Sequence, residues 1–132
     1  MRKIEARAPW VDRWGYSRAV RQGPLIEVGG TTAGKPDGSI VGIDDLYEQT
    51  KYALSVVLDA VSGLGGGVED VLRTRVFLRD IDDWEAAGRA HVEVFGKHLP
   101  TSSCVGGAKL LHPDLLVEIE ATAYVHDPSG SS

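Results

Sequence analysis

Residues 115–125 read LLVEIEATAYV, and this stretch decides the fold because apolar and polar residues alternate along it. Successive side chains of a strand point to opposite faces, so the alternation predicts a strand with one wholly apolar face. The other face carries polar side chains, namely Glu118, Glu120, Thr122 and Tyr124. Its two carboxylates lie roughly 7 Å apart along the strand. The pattern therefore predicts either a solvated sheet face or a polar site.

The rest of the chain predicts a mixed α+β protein with the element order β-β-β-α-β-α-β-β. Helices are predicted at about 44–62 and 82–97, because apolar residues recur there at three- and four-residue spacing. Asp44 or Asp45 can cap the first helix, and Asp82 with Glu85 indicates a capping box on the second. Strands are predicted at 4–6, 16–20, 25–28, 71–79, 103–110 and 115–125.

Both predicted helices have a single apolar stripe, so they can cover only one face of the sheet. The stripe of the second helix comprises Trp84, Ala87, Gly88, His91, Val92 and Phe95. The strand at 71–79 is predicted to place Leu72 and Thr74 on its apolar face, together with the residues at 76 and 78. The uncovered sheet face is expected to meet another subunit, because the first and last strands carry aliphatic side chains on both sides. We expect a homo-oligomer with polar pockets where subunits meet.

Length, charge and cysteine content limit the classes of protein that the chain can represent. The 132 residues suffice for one domain over 1–132, with a core at about 12–125 and a polar tail at 126–132 that we expect to be disordered. A net charge of −5 argues against a nucleic-acid partner. No apolar run approaches the ~20 residues of a membrane span, and the start lacks the apolar core of a signal peptide. Because Cys104 is the single cysteine, it cannot form an internal disulfide, and these features together favour the cytoplasm.

Four segments of the chain are similar to the signatures of a known family. Residues 15–20 match its N-terminal signature, and residues 68–84 match its strand-to-helix segment. Residues 100–105 and 116–121 match its C-terminal signature. Over about residues 12–125 the chain thus resembles the RidA/YjgF family of small trimeric enamine/imine deaminases. The resemblance implies a chorismate-mutase-like fold and a barrel-like homotrimer with three clefts at the subunit interfaces.

The resemblance also implies a mechanism that uses neither a metal nor an organic cofactor. In the deaminating members, water attacks the C=N carbon of a 2-imino acid and ammonia leaves. An arginine on the fifth strand binds the substrate carboxylate, and a glutamate on the last strand holds the water or relays protons. That glutamate falls on Glu120 in this sequence, the aromatic residue of the N-terminal signature on Tyr16, and a ligand-facing glycine on Gly30. The cysteine beside the arginine falls on Cys104.

The carboxylate-binding arginine is absent, because Ser102 occupies its position. Losing a charge-assisted guanidinium–carboxylate pair in a partly desolvated site costs about 2–5 kcal/mol. Simple 2-imino acids are therefore expected to be poor substrates, unless Arg73 or Arg75 points into the cleft. Two further positions depart from the family, since Gly88 replaces a polar amide and His91 replaces an aromatic residue.

Each candidate residue also has a purely structural interpretation. Glu120 can be a sheet acid paired with an arginine of the neighbouring strand, and for Glu118 such an ion pair is the favoured interpretation. His91 can be a hydrogen-bonded core residue, and Cys104 is favoured as a small buried thiol. The serines at 102–103 lack the nucleophile-elbow pattern, which favours a hydrogen bond to a ligand over nucleophilic catalysis.

The predicted function is hydrolysis of a pathway-specific imine or enamine, with Glu120 positioning water and relaying the proton. The candidate catalytic residues are Glu120, His91 and Cys104. The candidate substrate-binding residues are Tyr16, Gly30, Ser102, Ser103 and Arg75. No metal site is predicted, because the histidines show no ligand spacing.

Two alternatives to this function stay open. One is a non-catalytic trimer that binds a small metabolite or a partner protein, which the missing arginine favours. The other is a tautomerase or cyclase that uses the same acid–base site. An RNA-cleaving activity is disfavoured, because the chain is acidic and lacks the histidine pair and basic groove that such cleavage needs.

Overall fold

The computed structural model describes residues 1–126, so the predicted polar tail lies, apart from its first residue, outside the described residues. The strands are β1 (Arg2–Glu5), β2 (Ser17–Gln22), β3 (Leu25–Thr31), β4 (Val71–Leu78), β5 (Thr101–Val105) and β6 (Val117–Tyr124). The α-helices are α1 (Val11–Trp14), α2 (Leu46–Gly63) and α3 (Trp84–Phe95). Short 3-10 turns at Val68–Asp70 and Ile81–Asp83 lead into β4 and α3. None of the helices in 1–126 combines the length and apolar character that crossing a bilayer requires.

All six strands form one mixed sheet in the order β1-β2-β3-β6-β4-β5. Strands β4 and β5 are parallel, and every other neighbouring pair is antiparallel. A parallel pair needs a crossover connection, which α3 supplies between β4 and β5. The predicted α+β sheet with two covering helices is confirmed, although the short helix α1 was not predicted.

The alternation that predicts β6 also forms the core of the molecule. Val117, Ile119, Ala121 and Ala123 are each at most 1% exposed, whereas the intervening side chains are half-buried or exposed. The apolar face of β6 packs with α2, α3 and the inward residues of β3 and β4 in one hydrophobic cluster. Both helices therefore cover the same face of the sheet, and we call the opposite face the open face.

Helix α2 begins as predicted, because the Asp45 carboxylate accepts a hydrogen bond from the backbone N–H of Glu48 at 3.1 Å. The predicted capping box of α3 is wrong. Asp82 lies inside a 3-10 turn, and its backbone N–H donates to the Asp80 carboxylate at 2.9 Å. Because this turn takes up the entry to the helix, α3 begins at Trp84, two residues later than predicted.

A β-bulge changes the predicted faces at the start of β4. The register against β6 shifts between Val71 and Arg73, so Leu72 and Arg73 together occupy the space opposite Thr122. Leu72 is consequently 52% exposed rather than buried, while Thr74 keeps its predicted inward position. A one-residue shift moves a side chain to the other face, and beyond the bulge Thr74, Val76 and Leu78 keep their predicted inward positions.

Two further predictions are wrong at the β5 edge of the sheet. Strand β5 ends at Val105 rather than at residue 110, because Gly106 packs directly on Ile81 and Gly107 adopts a φ of +76°. Trp84 and Val92, predicted in the inner stripe of α3, are exposed. Because β5 is the last strand of the sheet, nothing in residues 1–126 covers this flank of the helix.

Candidate functional site

An open cavity of about 980 Å³ is lined by helices α1 and α2, the ends of β2 and β3, and the loops at 32–40 and 109–112. Of the predicted site residues, Tyr16 and Gly30 line this cavity. The Glu118 carboxylate lines the cavity together with those of Glu5 and Asp59, whereas Glu120 is not part of the wall. The cavity volume lies at the upper end of the range of roughly 300–1,000 Å³ that is typical of ligand sites.

A bulge in β3 makes room for the Glu118 carboxylate. Between Val28 and Thr31, β3 uses one residue more than β6 needs, and the glycines at 29 and 30 occupy the irregular segment. A Cβ at position 30 would lie 2.5 Å from Oε1 of Glu118. Gly30 therefore leaves the space that the carboxylate occupies, as is common for bulges beside functional sites.

The environment of Glu118 favours its neutral form. Burial raises the pKa of the Glu118 carboxyl above its ordinary value of 4.5, and the nearby charge of Glu120 raises it further. The Arg18 guanidinium acts in the opposite direction on the pKa of Glu118 and lowers it. A half-buried carboxyl with a raised pKa can both accept and donate a proton closer to neutral pH.

A chain of contacts holds the cavity wall beside Glu118. Arg18 Nη1 donates hydrogen bonds to the Gly30 carbonyl at 2.5 Å and to Thr31 Oγ1 at 3.2 Å. The same guanidinium lies over the Tyr16 ring, 5.5 Å from its centroid. Trp10 Nε1 donates to the Tyr16 hydroxyl at 3.0 Å. These contacts orient Tyr16 and the backbone of Gly30 toward one side of the cavity.

Glu120 lies outside this cavity and forms an ion pair on the open face. Its Oε1 is 3.7 Å from Arg75 Nη1, and the two side chains are 38% and 35% exposed. The two residues are direct partners across β4 and β6. The predicted ion pair of Glu118 is wrong within residues 1–126, because the residue opposite it on β4 is Phe77. The ion pair is thus formed by Glu120, in agreement with its interpretation as a sheet acid paired with an arginine of the neighbouring strand.

A second polar cluster lies on the face that the helices cover. Thr74 Oγ1 is 2.8 Å from His91 Nε2 and 2.7 Å from Ser102 Oγ, so one hydroxyl connects α3 to β5. Thr74 is fully buried, and the His91 ring also packs on Phe95 with 4.8 Å between ring centroids. Burial lowers the pKa of His91, which favours a neutral imidazole. His91 is therefore a hydrogen-bonded residue at the edge of the core.

Sequence reasoning missed Thr74 as a member of this cluster. Its signal was a hydroxyl at an inward position of β4, next to the buried apolar residues Val71, Val76 and Leu78. A buried hydroxyl needs a hydrogen-bond partner, so a threonine at such a position predicts a polar neighbour across the sheet or on a helix. The sequence does not say which neighbour this is.

The remaining predicted residues lie on the edge strand β5, all of whose residues are exposed. Cys104 is exposed, so the predicted buried thiol is wrong, although partial desolvation still raises the pKa of the thiol. Ser103 is the register partner of Arg75, and it lies on the opposite side of β5 from Ser102. Within one protomer, the predicted site residues thus fall into three groups rather than one.

The three groups are the cavity, the open face and the helix-covered edge. Residues 1–126 contain no group of three or more histidine, cysteine, aspartate and glutamate side chains placed to hold a metal ion. The sheet, its two covering helices and the carboxylate-lined cavity define a small α+β protein with a ligand-sized site.

The chain belongs to the Endoribonuclease L-PSP family, also called the RidA/YjgF family, because the family model matches residues 7–125. A crystal structure of Rv2704 from Mycobacterium tuberculosis, a member of the YjgF/YER057c/UK114 family, is 40% identical in sequence. The superposition covers 94% of this chain and 98% of that one, with a TM-score of 0.83. The predicted family resemblance is thereby confirmed.

Two further relatives have functional descriptions. The 3-aminoacrylate deaminase RutC of Acinetobacter baylyi is 30% identical, over 83% of this chain and 86% of RutC. Escherichia coli TdcF, whose crystal structure contains bound serine, is 29% identical and covers 95% of this chain and 94% of its own, with a TM-score of 0.77. The family therefore includes a deaminase and a protein that binds an amino acid.

Proposed function

We propose that this protein hydrolyses an enamine or imine and that Glu118, rather than the predicted Glu120, positions water and relays protons. The observation that carries the proposal is the half-buried Glu118 carboxyl, packed against Gly30 in the wall of a ligand-sized cavity. The raised pKa of Glu118 suits a group that must both accept and donate a proton. The relationship to the deaminase RutC supports the reaction class.

The reaction needs only water and one acid–base group. Ionised Glu118 takes a proton from water as the oxygen attacks the carbon of the protonated imine, whose nitrogen already carries its proton. The product is a carbinolamine, which carries a hydroxyl and an amino group on one carbon. Glu118 then returns its proton to that amino group, and the C–N bond breaks. The hydroxyl proton passes to Glu118 as the carbonyl product forms, and ammonia takes that proton and leaves as ammonium, which restores ionised Glu118. An enamine substrate first takes a proton from solvent at its terminal carbon and becomes the protonated imine.

We also propose that the protein works as a homotrimer with its active sites between subunits. Helices α2 and α3 both lie on the other side of the sheet and leave the open face uncovered, and this face exposes Leu25, Leu72 and Tyr124. Within residues 1–126, strand β5 pairs only with β4, and all of its residues, Ser102 and Cys104 among them, are exposed. An assembly of copies would cover this apolar surface and could bring β5 of one protomer to the cavity of the next.

Light scattering coupled to size-exclusion chromatography measures the assembly directly. The expected mass is three times that of the 14.2 kDa chain. Leu72→Lys places a charge on the exposed apolar surface of the open face and is expected to shift the mass toward the monomer. Lys97→Leu removes an exposed charge from the turn that follows α3 and is the control for a change in surface charge. A monomeric wild-type protein would contradict the proposed assembly.

Catalysis is tested with 2-imino acids generated in situ by an amino-acid oxidase in the presence of semicarbazide. A hydrolase competes with semicarbazide for the imine and therefore lowers the yield of semicarbazone. Glu118→Gln is expected to lose about 10²–10⁴-fold in rate, whereas the matched variant Glu120→Gln keeps most of the activity. If Glu120→Gln alone lost activity, Glu120 rather than Glu118 would position water and relay protons.

Identical behaviour of the wild type and both variants on every imine tested would contradict catalysis at this site. That outcome would favour the alternative of a non-catalytic binding protein. Conversion of an enamine without release of ammonia would favour the tautomerase or cyclase alternative.

A further inference from the structure

The cavity has a charge opposite to that of the whole chain. Its cationic lining residues are Arg7, Arg13, Arg18, Lys35 and Lys109. The acidic lining residues are Glu5, Asp59 and Glu118, so the formal net charge of the cavity wall is +2 while that of the chain is −5. Cationic walls of this kind concentrate anions in a cleft. The ligand of the cavity is therefore expected to carry negative charge.

Arg18 is the cation with the most suitable position for direct contact. Within residues 1–126, its protein hydrogen-bond acceptors are both bound through Nη1, and they are the Gly30 carbonyl and Thr31 Oγ1. Nη2 and Nε make no hydrogen bond within residues 1–126 and are not buried, so they are accessible to a ligand. These atoms supply three N–H donors, and the Nε–H and one Nη2–H are parallel on one edge of the planar guanidinium, which is the arrangement that binds a carboxylate through two hydrogen bonds.

The protein contacts of Arg18 fix this orientation before a ligand binds. The bonds to the Gly30 carbonyl and Thr31 hold the end of the side chain, and the Tyr16 ring lies beneath the guanidinium. A pre-positioned guanidinium loses less conformational entropy on binding than a free arginine side chain. Arg18 also lowers the pKa of Glu118, which places the two groups in one electrostatic environment.

The same wall provides apolar surface for the rest of the ligand. The indole rings of Trp10 and Trp14 and the ring of Tyr16 line the cavity. Trp10 is held by its hydrogen bond to the Tyr16 hydroxyl. Aromatic rings bind apolar and planar groups through stacking and burial of surface. The cavity is much larger than a three-carbon acid needs.

We propose that Arg18 binds the carboxylate of the substrate and that the cavity selects acids with an aromatic or extended apolar group, which contacts Trp10 and Tyr16. This inference rests on the proposed function only in calling the ligand a substrate, because the binding that it describes requires no turnover. Arg18 would act as a specificity-determining residue beside Glu118.

Binding is measured by calorimetry with three unreactive probes: 3-phenylpropionate, propionate and 3-phenylpropionamide. The wild type is expected to bind 3-phenylpropionate at least about 10-fold more tightly than the neutral amide, because the amide lacks the charge. Propionate is expected to bind at least about 10-fold more weakly than 3-phenylpropionate, because it lacks the apolar group. In nitrogen-15 spectra, the Gly30 amide and the Trp10 side chain are expected to shift with 3-phenylpropionate.

Arg18→Gln is expected to lose about 10- to 100-fold in affinity for 3-phenylpropionate and to retain its affinity for the amide. Arg73→Gln is the matched control, because it removes the same charge from an exposed position outside the cavity. Arg18→Lys keeps the charge without the two-pronged geometry and is expected to bind with intermediate affinity. Thermal unfolding of each variant identifies any loss that comes from misfolding.

Equal affinity of the wild type for the acid and the amide would overturn the proposal, and so would unchanged affinity in Arg18→Gln. An equal loss in Arg73→Gln would also overturn it, because the effect would then reflect net charge alone. If Arg18→Gln fails to fold, the wild-type comparison of acid and amide and the shifts at Gly30 and Trp10 still decide the outcome. Binding as expected in a protein that hydrolyses no imine would leave this inference standing and contradict the proposed function.

Discussion

The Glu118 carboxylate occupies the space beside Gly30 that a Cβ at position 30 would need, with only 2.5 Å between that Cβ and Oε1 of Glu118. The two residues come from different strands, β3 and β6, and meet because a bulge in β3 shifts the register between them. Glu118 therefore packs against Gly30, whereas Glu120 on the same strand forms an ion pair with Arg75. The position of the proposed acid–base group therefore depends on the absence of a side chain at residue 30.

Gly30→Ala is expected to displace the Glu118 carboxylate and to reduce hydrolysis about 10-fold or more, with a small effect on stability. The stability effect is small because the nearest atom is the end of a flexible side chain. The matched control is Gly29→Ala, whose Cβ would have its nearest contact at 3.6 Å, an ordinary van der Waals distance. Rate and melting temperature are measured for both. Equal activity of Gly30→Ala and the wild type would show that hydrolysis does not depend on the absence of a side chain at residue 30.

Glu118→Gln is expected to stabilise the protein at neutral pH. The native pKa of Glu118 is raised above 4.5, so the stability linked to its neutral form is present below pH 4.5 and is lost as pH rises through the native pKa. Glutamine cannot ionise, so the melting temperature of the variant relative to wild type should rise from pH 4 to pH 7. Glu120→Gln, which removes a carboxylate from the same face of β6, is measured alongside as the control for loss of a negative charge. A pH-independent difference for Glu118→Gln would contradict the desolvation of its carboxyl.

Thr74→Val is expected to destabilise the protein by about 1–3 kcal/mol, because a buried methyl group replaces the hydroxyl that pairs with His91 Nε2 and Ser102 Oγ. Urea unfolding at neutral pH measures the change in free energy of unfolding. Ser102→Ala removes the exposed end of the same chain of hydrogen bonds and is expected to cost less than about 0.5 kcal/mol. Similar costs for the two variants would mean that Thr74 does not anchor the cluster.

The ion pair of Arg75 and Glu120 is expected to contribute little to stability. The pair is separated by 3.7 Å, and both side chains are more than a third exposed, so solvent and salt screen the attraction. A double-mutant cycle with Arg75→Gln and Glu120→Gln should give a coupling of about 0.2–1 kcal/mol that decreases in 1 M salt. A coupling that exceeds this range and persists at high salt would indicate that the pair is buried in the assembled protein.

Much of the architecture could be predicted because its signals are local. The alternation in 115–125 is a property of neighbouring residues, and it predicted β6 and its buried face correctly. The apolar spacing of α2 and its cap at Asp45 are equally local, as are the four segments that indicate the family. The entry to α3 failed as a prediction because several aspartates compete there, and the 3-10 turn selects Asp80 as the acceptor.

Sequence alone determined the fold class, the polar face of β6 and the family, because side-chain period, helix caps and signature motifs are properties of adjacent residues. Only the tertiary structure decided which of two glutamates on that face meets the cavity, and that Thr74 joins His91 to Ser102. These features depend on the register of strands that are distant in sequence, and a bulge of one residue is enough to change it. Glu118 and Glu120 are two residues apart and share one face, so only their neighbours on β3 and β4 distinguish them.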